Sequence, residues 1–226
     1  MLELASLYVK PKARAPMQRL REIAGLAGHG LVGDASADAG SPRHVLLVSE
    51  DDVRALALDP HDLRANLVVR GNVDGLASGQ LLAFGTLVLR ITIPCEPCGR
   101  LNQVRAGLSK EIGIRRGVLA RVLSSGRAEV GDSAAVLPRT STRLHPDWRD
   151  RVDEIVRRVP PDHVVSHAAL ARAAGVQPAY CRALPTVLRS LASRGAPVHR
   201  VMPASALRPS SRVWDAASYF THDEAP

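Results

Sequence analysis

The chain has 226 residues, 46% of them hydrophobic and 23% charged, and a net charge of +8. That length suits one large domain or two modest ones, and that balance excludes global disorder. No apolar run nears the roughly 20 residues that span a bilayer, the N-terminus lacks the layout of a secretory signal, and three cysteines are too few for a disulfide framework, so a cytoplasmic protein with no membrane partner is expected.

In chain order, the runs HVLLVS (44–49), ANLVVRG (65–71), QLLAFGTLVLRITI (80–93), GVLARVL (117–123) and SAAVLP (133–138) read as strands. The 80–93 run is predicted to fold as a hairpin about Phe84 and Gly85. SEDDVRAL (49–56) predicts a helix with Ser49 as N-cap and acids in its first turn, and LNQVRAGL (101–108) a second short helix. GNVDG (71–75) and Gly131-Asp132 carry turn chemistry. Many short strands with few helices point to a closed or folded-over β barrel.

The pattern changes at LPRTSTRLHPD (137–147). In 147–159 a helix is predicted with Trp148, Val152, Ile155, Val156 and Val159 on one stripe. SHAALARAAG (166–175) begins with the N-cap candidate Ser166 and ends at Gly175, and 177–195 predicts a third helix with Ala183, Leu184, Val187, Leu188 and Leu191 inward. APVHRVMPAS (196–205) returns to extended structure, which completes a winged-helix pattern. The expected fold class is mixed: a β-barrel domain over 1–140, a small α-rich winged helix over 141–208, and a partly ordered tail over 209–226. Charge does not single out either half: residues 141–226 hold 12 Arg and no Lys against 8 acids, which is +4 of the total +8.

Cys95 and Cys98 stand two residues apart in PCEPCGRLNQ. Structural zinc needs about four ligands, and no second cysteine pair or suitable histidine pair accompanies them. A dithiol redox pair belongs at a strand-to-helix junction of a βαβ unit, and this region lacks that alternation. A reactive thiolate or soft-metal ligand remains, beside two merely structural thiols.

A family resemblance enters here. GLVGDASADAGSPRHVLLVSEDD (30–52), DLRANLVVRG (62–71), GQLLAFGTLVLRIT (79–92), EPCGRLN (96–102) and GVLARVLSSGRAEVGDSAAV (117–136) resemble, in order, a MOSC domain, the β barrel named after the C-terminal part of molybdenum cofactor sulfurase. The resemblance implies a molybdenum cofactor (molybdopterin) site with Cys98 as metal ligand and catalytic centre, since a thiolate is a soft ligand. The pterin carries a phosphate, so Arg and Asn donors are implied near it: Arg64 and Asn66 in the Arg-x-Asn segment, Asn102 in GRLN, and Arg43 and Arg121 in matching segments. Many members have Gln where this chain has His44.

The second part, from EIVRRVPPDHVVSHAALARAAG through GAPVHRVMPAS, resembles the DNA-binding domain of O6-alkylguanine-DNA alkyltransferases over 146–206. That family accepts the alkyl group on the cysteine of a Pro-Cys-His-Arg tetrad. Here the tetrad is Pro197-Val198-His199-Arg200, so the nucleophile is missing and alkyl transfer is excluded. The resemblance is therefore to alkyltransferase-like proteins, which bind damage without repairing it. It implies DNA contacts at His167, Arg182, Val198, His199 and Arg200, with Arg182 as the finger that enters the duplex when a nucleotide flips out. Pro185 departs from the family's Gly and predicts a late start or a bend in the third helix.

Together the resemblances imply a molybdenum-dependent reductase of N-hydroxylated compounds or bases, coupled to a module for alkylated or modified DNA. The implied partners are DNA, a redox partner protein and excision-repair proteins. The alternative is a non-enzymatic DNA-damage sensor whose MOSC part is a sulfur-carrier or docking domain.

Overall fold

The computed structural model describes residues 1–221, with residues 178 and 179 described by backbone alone. The chain divides into two compact units, Met1–Ala39 with Arg43–Leu144, and Gly40–Pro42 with His145 onward.

The first unit holds, in order, β1 (Glu3–Val9), β2 (Gln18–Leu20), β3 (Glu22–Leu26), β4 (Gly30–Leu31), β5 (Val45–Ser49), α1 (Glu50–Ala55), α2 (Pro60–Leu63), β6 (Leu67–Arg70), β7 (Gln80–Phe84), β8 (Leu87–Pro94), α3 (Leu101–Val104), α4 (Leu108–Glu111), β9 (Val118–Ser124), β10 (Gly126–Glu129) and β11 (Ala135–Thr140). Eight strands form one sheet in the order β11-β7-β8-β9-β5-β6-β1-β2. Every neighbouring pair is antiparallel except β5 with β6.

The sheet curls until its ends meet. Just before β11, Asp132 and Gly131 exchange backbone hydrogen bonds with Leu4, and Ala134 donates to Leu2. This closure removes most of the exposed strand edge. A second sheet, β10-β3-β4, packs against the first, and a side chain on Gly25 would run into Leu87 and Val122. The core between them is almost wholly aliphatic, with Phe84 the aromatic member: Leu4, Leu7, Leu47, Leu67, Val69, Leu82, Phe84, Leu89, Ile91, Ala120 and Val122 are buried together. Alternation along each strand sends one residue in two inward.

The hairpin about Phe84 and Gly85 forms, with Gly85 at φ +54°. Ser49 stands at the N-cap of α1, although its side chain makes no cap bond. The helix expected over 101–108 is two short ones, α3 and α4, because Gly107 takes a left-handed φ of +82° between them.

The second unit holds α5 (Trp148–Arg158), β12 (Val165–Ser166), α6 (His167–Ala173), α7 (Leu184–Ser193), β13 (Val201–Met202) and α8 (Ser218–Thr221). Asp147 caps α5 by accepting from Arg149 N at 2.8 Å, and Ser166 caps α6 by accepting from Ala169 N at 3.0 Å. Trp148, Val152, Ile155 and Val156 are buried as the helical spacing requires. The expected third helix splits: residues Pro178–Ala183 form a 3-10 turn and α7 starts at Leu184. Pro185 explains this, since it fits only the first helical turn, where its missing N–H costs nothing.

One further expectation is corrected. No wing hairpin follows α7 among the described residues; β13 instead pairs in parallel with β12, through Val165↔Val201 and Ser166↔Met202. A parallel pair cannot be a hairpin. The tail expected over 209–226 is packed within the second unit as far as residue 221, and residues 222–226 lie outside the described residues. Trp214 N donates to Val164 O at 2.8 Å, Tyr219 and Phe220 are buried, and Arg158 lies over the Tyr219 ring at 4.9 Å.

Candidate functional site

The connection from β8 to β9 carries the two thiols of the first unit. Its ends are tied, since Cys95 N donates to Gly117 O at 2.9 Å. Gly117 is required there: it holds φ +86°, and a Cβ would collide with the carbonyl of Leu47. Cys98 O accepts from Leu101 N at 3.0 Å, so Cys98 opens the turn into α3. Cys98 is half-buried, whereas Cys95 is buried, and both are free thiols. No three His, Cys, Asp or Glu residues cluster in a metal-binding arrangement among the described residues.

Arg100 lies within electrostatic reach of Cys98 and of two further arginines, and shares the neighbour Arg64 with Lys10. Arg100 is half-buried, and its pKa is lowered by burial and by Arg64 and raised by Cys98, with Arg116 a further lowering neighbour. Lys10 is likewise lowered, first by burial; Asp34 raises it, and Arg64 and Arg100 lower it again. The short helix α2 organises this set. Asp59 and Asp62 form a capping box around Pro60, and Arg64 ends the helix in a left-handed conformation, φ +54°. The last carbonyls of such a helix lack intrahelical partners. Arg100 donates to Asp62 O at 3.2 Å and Arg116 to Leu63 O at 2.9 Å.

Arg116 is the unusual member. It is 7% exposed, and its Nε and Nη1 are buried with no hydrogen-bond partner. A buried cation with two unmet donors costs several kcal/mol unless an anion meets it. Among the described residues Arg64 makes no side-chain hydrogen bond or ion pair.

The other residues expected at the site have different surroundings. Asn66 is a buried strut: its Oδ1 accepts from Leu46 N at 3.1 Å, and its Nδ2 donates to Tyr8 O at 3.2 Å and Asp34 Oδ2 at 2.9 Å. Asp34 also accepts from Lys10 N at 2.7 Å, so this strut fixes the start of the Lys10 segment. Asn102 accepts from Ser109 N at 3.1 Å and braces α4. Arg43 is turned towards Cys95, 3.9 Å from its sulfur, and pairs with Glu96 at 3.2 Å.

Arg121 is 1% exposed and holds the carbonyls of Ala39 and Gly28 at 3.0 and 3.2 Å. Beside it, His44 is fully buried and its pKa is lowered to about 3, first by burial and then by the Arg121 charge. The ring is therefore neutral. Nε2–H donates to Asp38 O at 2.9 Å and Nδ1 accepts from Val122 N at 3.3 Å, which selects the Nε2 tautomer.

Cys98 and Arg64 are thus brought into one electrostatic neighbourhood through Arg100. Lys10, Arg100 and Arg116 were missed by sequence reasoning. Only Arg100 carried a signal, as the residue two after Cys98.

In the second unit the ladder between β12 and β13 brings the segment before His167 next to the segment that follows residues 197–200. Val198, His199 and Arg200 form one 3-10 turn. Arg200 faces inward, donating to Val159 O at 2.7 Å at the end of α5. Arg182 and His199 are exposed.

The closed, mostly antiparallel sheet is a MOSC-like fold. Residues 34–135 of the chain match the MOSC domain family, whose members can bind molybdenum cofactor. Among solved structures, the chain is similar to YiiM from Escherichia coli, with a TM-score of 0.52 and 16% identity over 88% of this chain and 98% of that one. YiiM from Geobacillus stearothermophilus has a TM-score of 0.50 and 15% identity over 100% of both chains. YuaD from Bacillus subtilis has a TM-score of 0.50 and 19% identity, over 59% of this chain and 94% of that one. At these identities the likeness is one of fold. The likeness to the two YiiM proteins extends into the second unit. No curated protein matches the chain. No helix among the described residues is long and apolar enough to cross a membrane.

Proposed function

We propose that the first unit binds molybdenum cofactor through the Cys98 thiolate and reduces N-hydroxylated compounds or bases. The observation that carries this reading is Arg116, a buried guanidinium with two unmet donors in a cluster with Arg64, Arg100 and Lys10 beside a half-buried thiol. The donor set fits the group: a soft thiolate for the metal and a cationic cradle for the pterin phosphate. When bound, the cofactor supplies two-electron chemistry at the metal. The chain supplies the rest. Cys98 holds the metal, Arg64, Arg100, Arg116 and Lys10 hold the phosphate, and Asn66 fixes the β1 end from which Lys10 projects. A redox partner protein supplies electrons.

The test is the molybdenum and pterin content of protein produced with cofactor supply. Near-stoichiometric content, lost in Cys98→Ala and reduced in Arg116→Met, supports the reading. Protein that stays free of both overturns it.

We further propose that the second unit binds alkylated or modified DNA without alkyl transfer, and that excision-repair proteins join it there. The neighbouring placement of the His167 and tetrad segments, and the exposed Arg182, support this. Duplexes with and without O6-methylguanine separate the outcomes. Tighter binding to the lesion, lost in Arg182→Ala, is expected. Equal and strongly salt-dependent binding of both would leave only a general arginine-driven contact. A lesion-binding protein that carries no metal would be the non-enzymatic damage sensor instead.

A further inference from the structure

The residues from Lys10 to Arg21 hold five cations, Lys10, Lys12, Arg14, Arg19 and Arg21, and no acid. They lie on the loop after β1, on β2 and on the residue that follows it, and all of these cations but Lys10 are exposed. Below this arm lies a groove of about 680 Å³ lined by Arg19, Leu20, Arg21, Glu129 and Val130. It is built by the backbone, since Val130 N donates to Arg21 O at 3.0 Å and Glu129 N donates to Asp132 Oδ2 at 2.9 Å.

Among the described residues the side chains of Arg19, Arg21 and Glu129 form no hydrogen bond or ion pair, although charges of both signs line the same groove. Their neighbours behave differently. Glu22, the register partner of Glu129, pairs with Arg127 at 2.5 Å. The groove therefore offers two guanidinium forks, one carboxylate acceptor and an apolar floor from Leu20 and the half-exposed Val130. Guanidinium forks match phosphate oxygens, and a lone carboxylate accepts from hydroxyl or amino groups. The acid-free arm around them attracts anions.

We propose that this groove is a separate binding site for a small phosphate ester with free hydroxyl groups, a sugar phosphate or a nucleoside monophosphate. The phosphate lies on Arg19 and Arg21, and a hydroxyl donates to Glu129. The volume falls within the roughly 300–1,000 Å³ of small-molecule sites.

Calorimetric titration with ribose 5-phosphate, adenosine monophosphate, adenosine and inorganic phosphate tests this. Saturable binding of at least one ester, and none of adenosine, is expected. Arg19→Ala and Arg21→Ala should each weaken it roughly tenfold. Arg127→Ala, which removes only an ion-paired neighbour, and Arg116→Met, which empties the cradle beside Cys98, should leave it unchanged. Glu129→Gln should weaken the esters but not inorganic phosphate. Binding of adenosine monophosphate alone would identify a nucleotide, and binding of both esters a shared sugar phosphate. No saturable ester binding, no effect of the two arginine variants, loss of binding in Arg116→Met, or a Glu129→Gln variant that strengthens esters and phosphate alike would overturn the proposal.

Discussion

Arg116 donates to the carbonyl of Leu63 at 2.9 Å, and this contact joins the turn before β9 to the end of α2 while leaving two guanidinium nitrogens buried without a partner. One hydrogen bond fixes where the charge sits, and the unmet donors define what it lacks. An anion that meets them binds the folded chain and not the unfolded one. Phosphate should therefore raise the melting temperature above that in chloride at equal ionic strength. Saturation near 100 times Kd is worth about 2.7 kcal/mol, and each kcal/mol shifts Tm by about 2–4 °C at this size. Arg116→Met should lose most of the gain in a thermal scan. A variant with the full phosphate response would remove Arg116 from the cradle.

His44 makes stability depend on pH. Its folded pKa is about 3 against an ordinary 6.5, so the unfolded chain binds the extra proton between these values. The contribution is complete above about pH 6.5 and is lost as pH falls towards 3. Its full size is on the order of 5 kcal/mol. His44→Gln keeps a donor for Asp38 O and an acceptor for Val122 N but cannot titrate. Urea unfolding at pH 7 and pH 4.5 should show a smaller loss for His44→Gln than for the parent. Equal slopes would mean that the ring is not buried neutral.

Asn66 joins three segments through one amide. Asn66→Ala leaves Leu46 N without its acceptor and removes a donor from Tyr8 O and from Asp34. The expected cost is about 2–4 kcal/mol, read from chemical denaturation. Because Asp34 anchors Lys10, the same variant should weaken anion binding at the Cys98 cluster. A stable variant with unaltered anion binding would separate the strut from the site.

Arg151 has the corresponding role in the second unit. It is 1% exposed and donates to the carbonyls of Ala174, His145 and Pro146 at 2.7, 2.6 and 2.8 Å. Removing it strands three carbonyls and opens a cavity, so Arg151→Ala should cost about 3 kcal/mol or more. Trp148, in the same helix, should report this as an early fluorescence transition in urea. An unchanged midpoint would show that water replaces the guanidinium at no cost.

Much of the local structure was legible because its causes are local. Asp147 and Ser166 announce α5 and α6, Gly85 announces the hairpin, and Pro185 marks where α7 can begin. The stripe of Trp148, Val152, Ile155 and Val156 is a helical period that burial obeys. Cys98 could be singled out by its place before GRLN. The strands β1 to β4 were missed, since several are only two to five residues long and their pairing is with distant chain.

By itself the sequence determined the alternation that makes a closed sheet, the caps and breaks of the helices, and the thiol around which a site could form. Only the tertiary structure decided the company that thiol keeps. Lys10, Arg64, Arg100 and Arg116 come from four separate segments and meet because β1, α2, α3 and β9 are fixed by one core. Tertiary packing also decided that Asn66 and Arg121 spend their polar atoms on the backbone, and that β13 lies parallel to β12 instead of folding into a wing. Propensity and spacing act over a few residues. Burial, charge proximity and hydrogen-bond satisfaction act over distances that the chain order does not display.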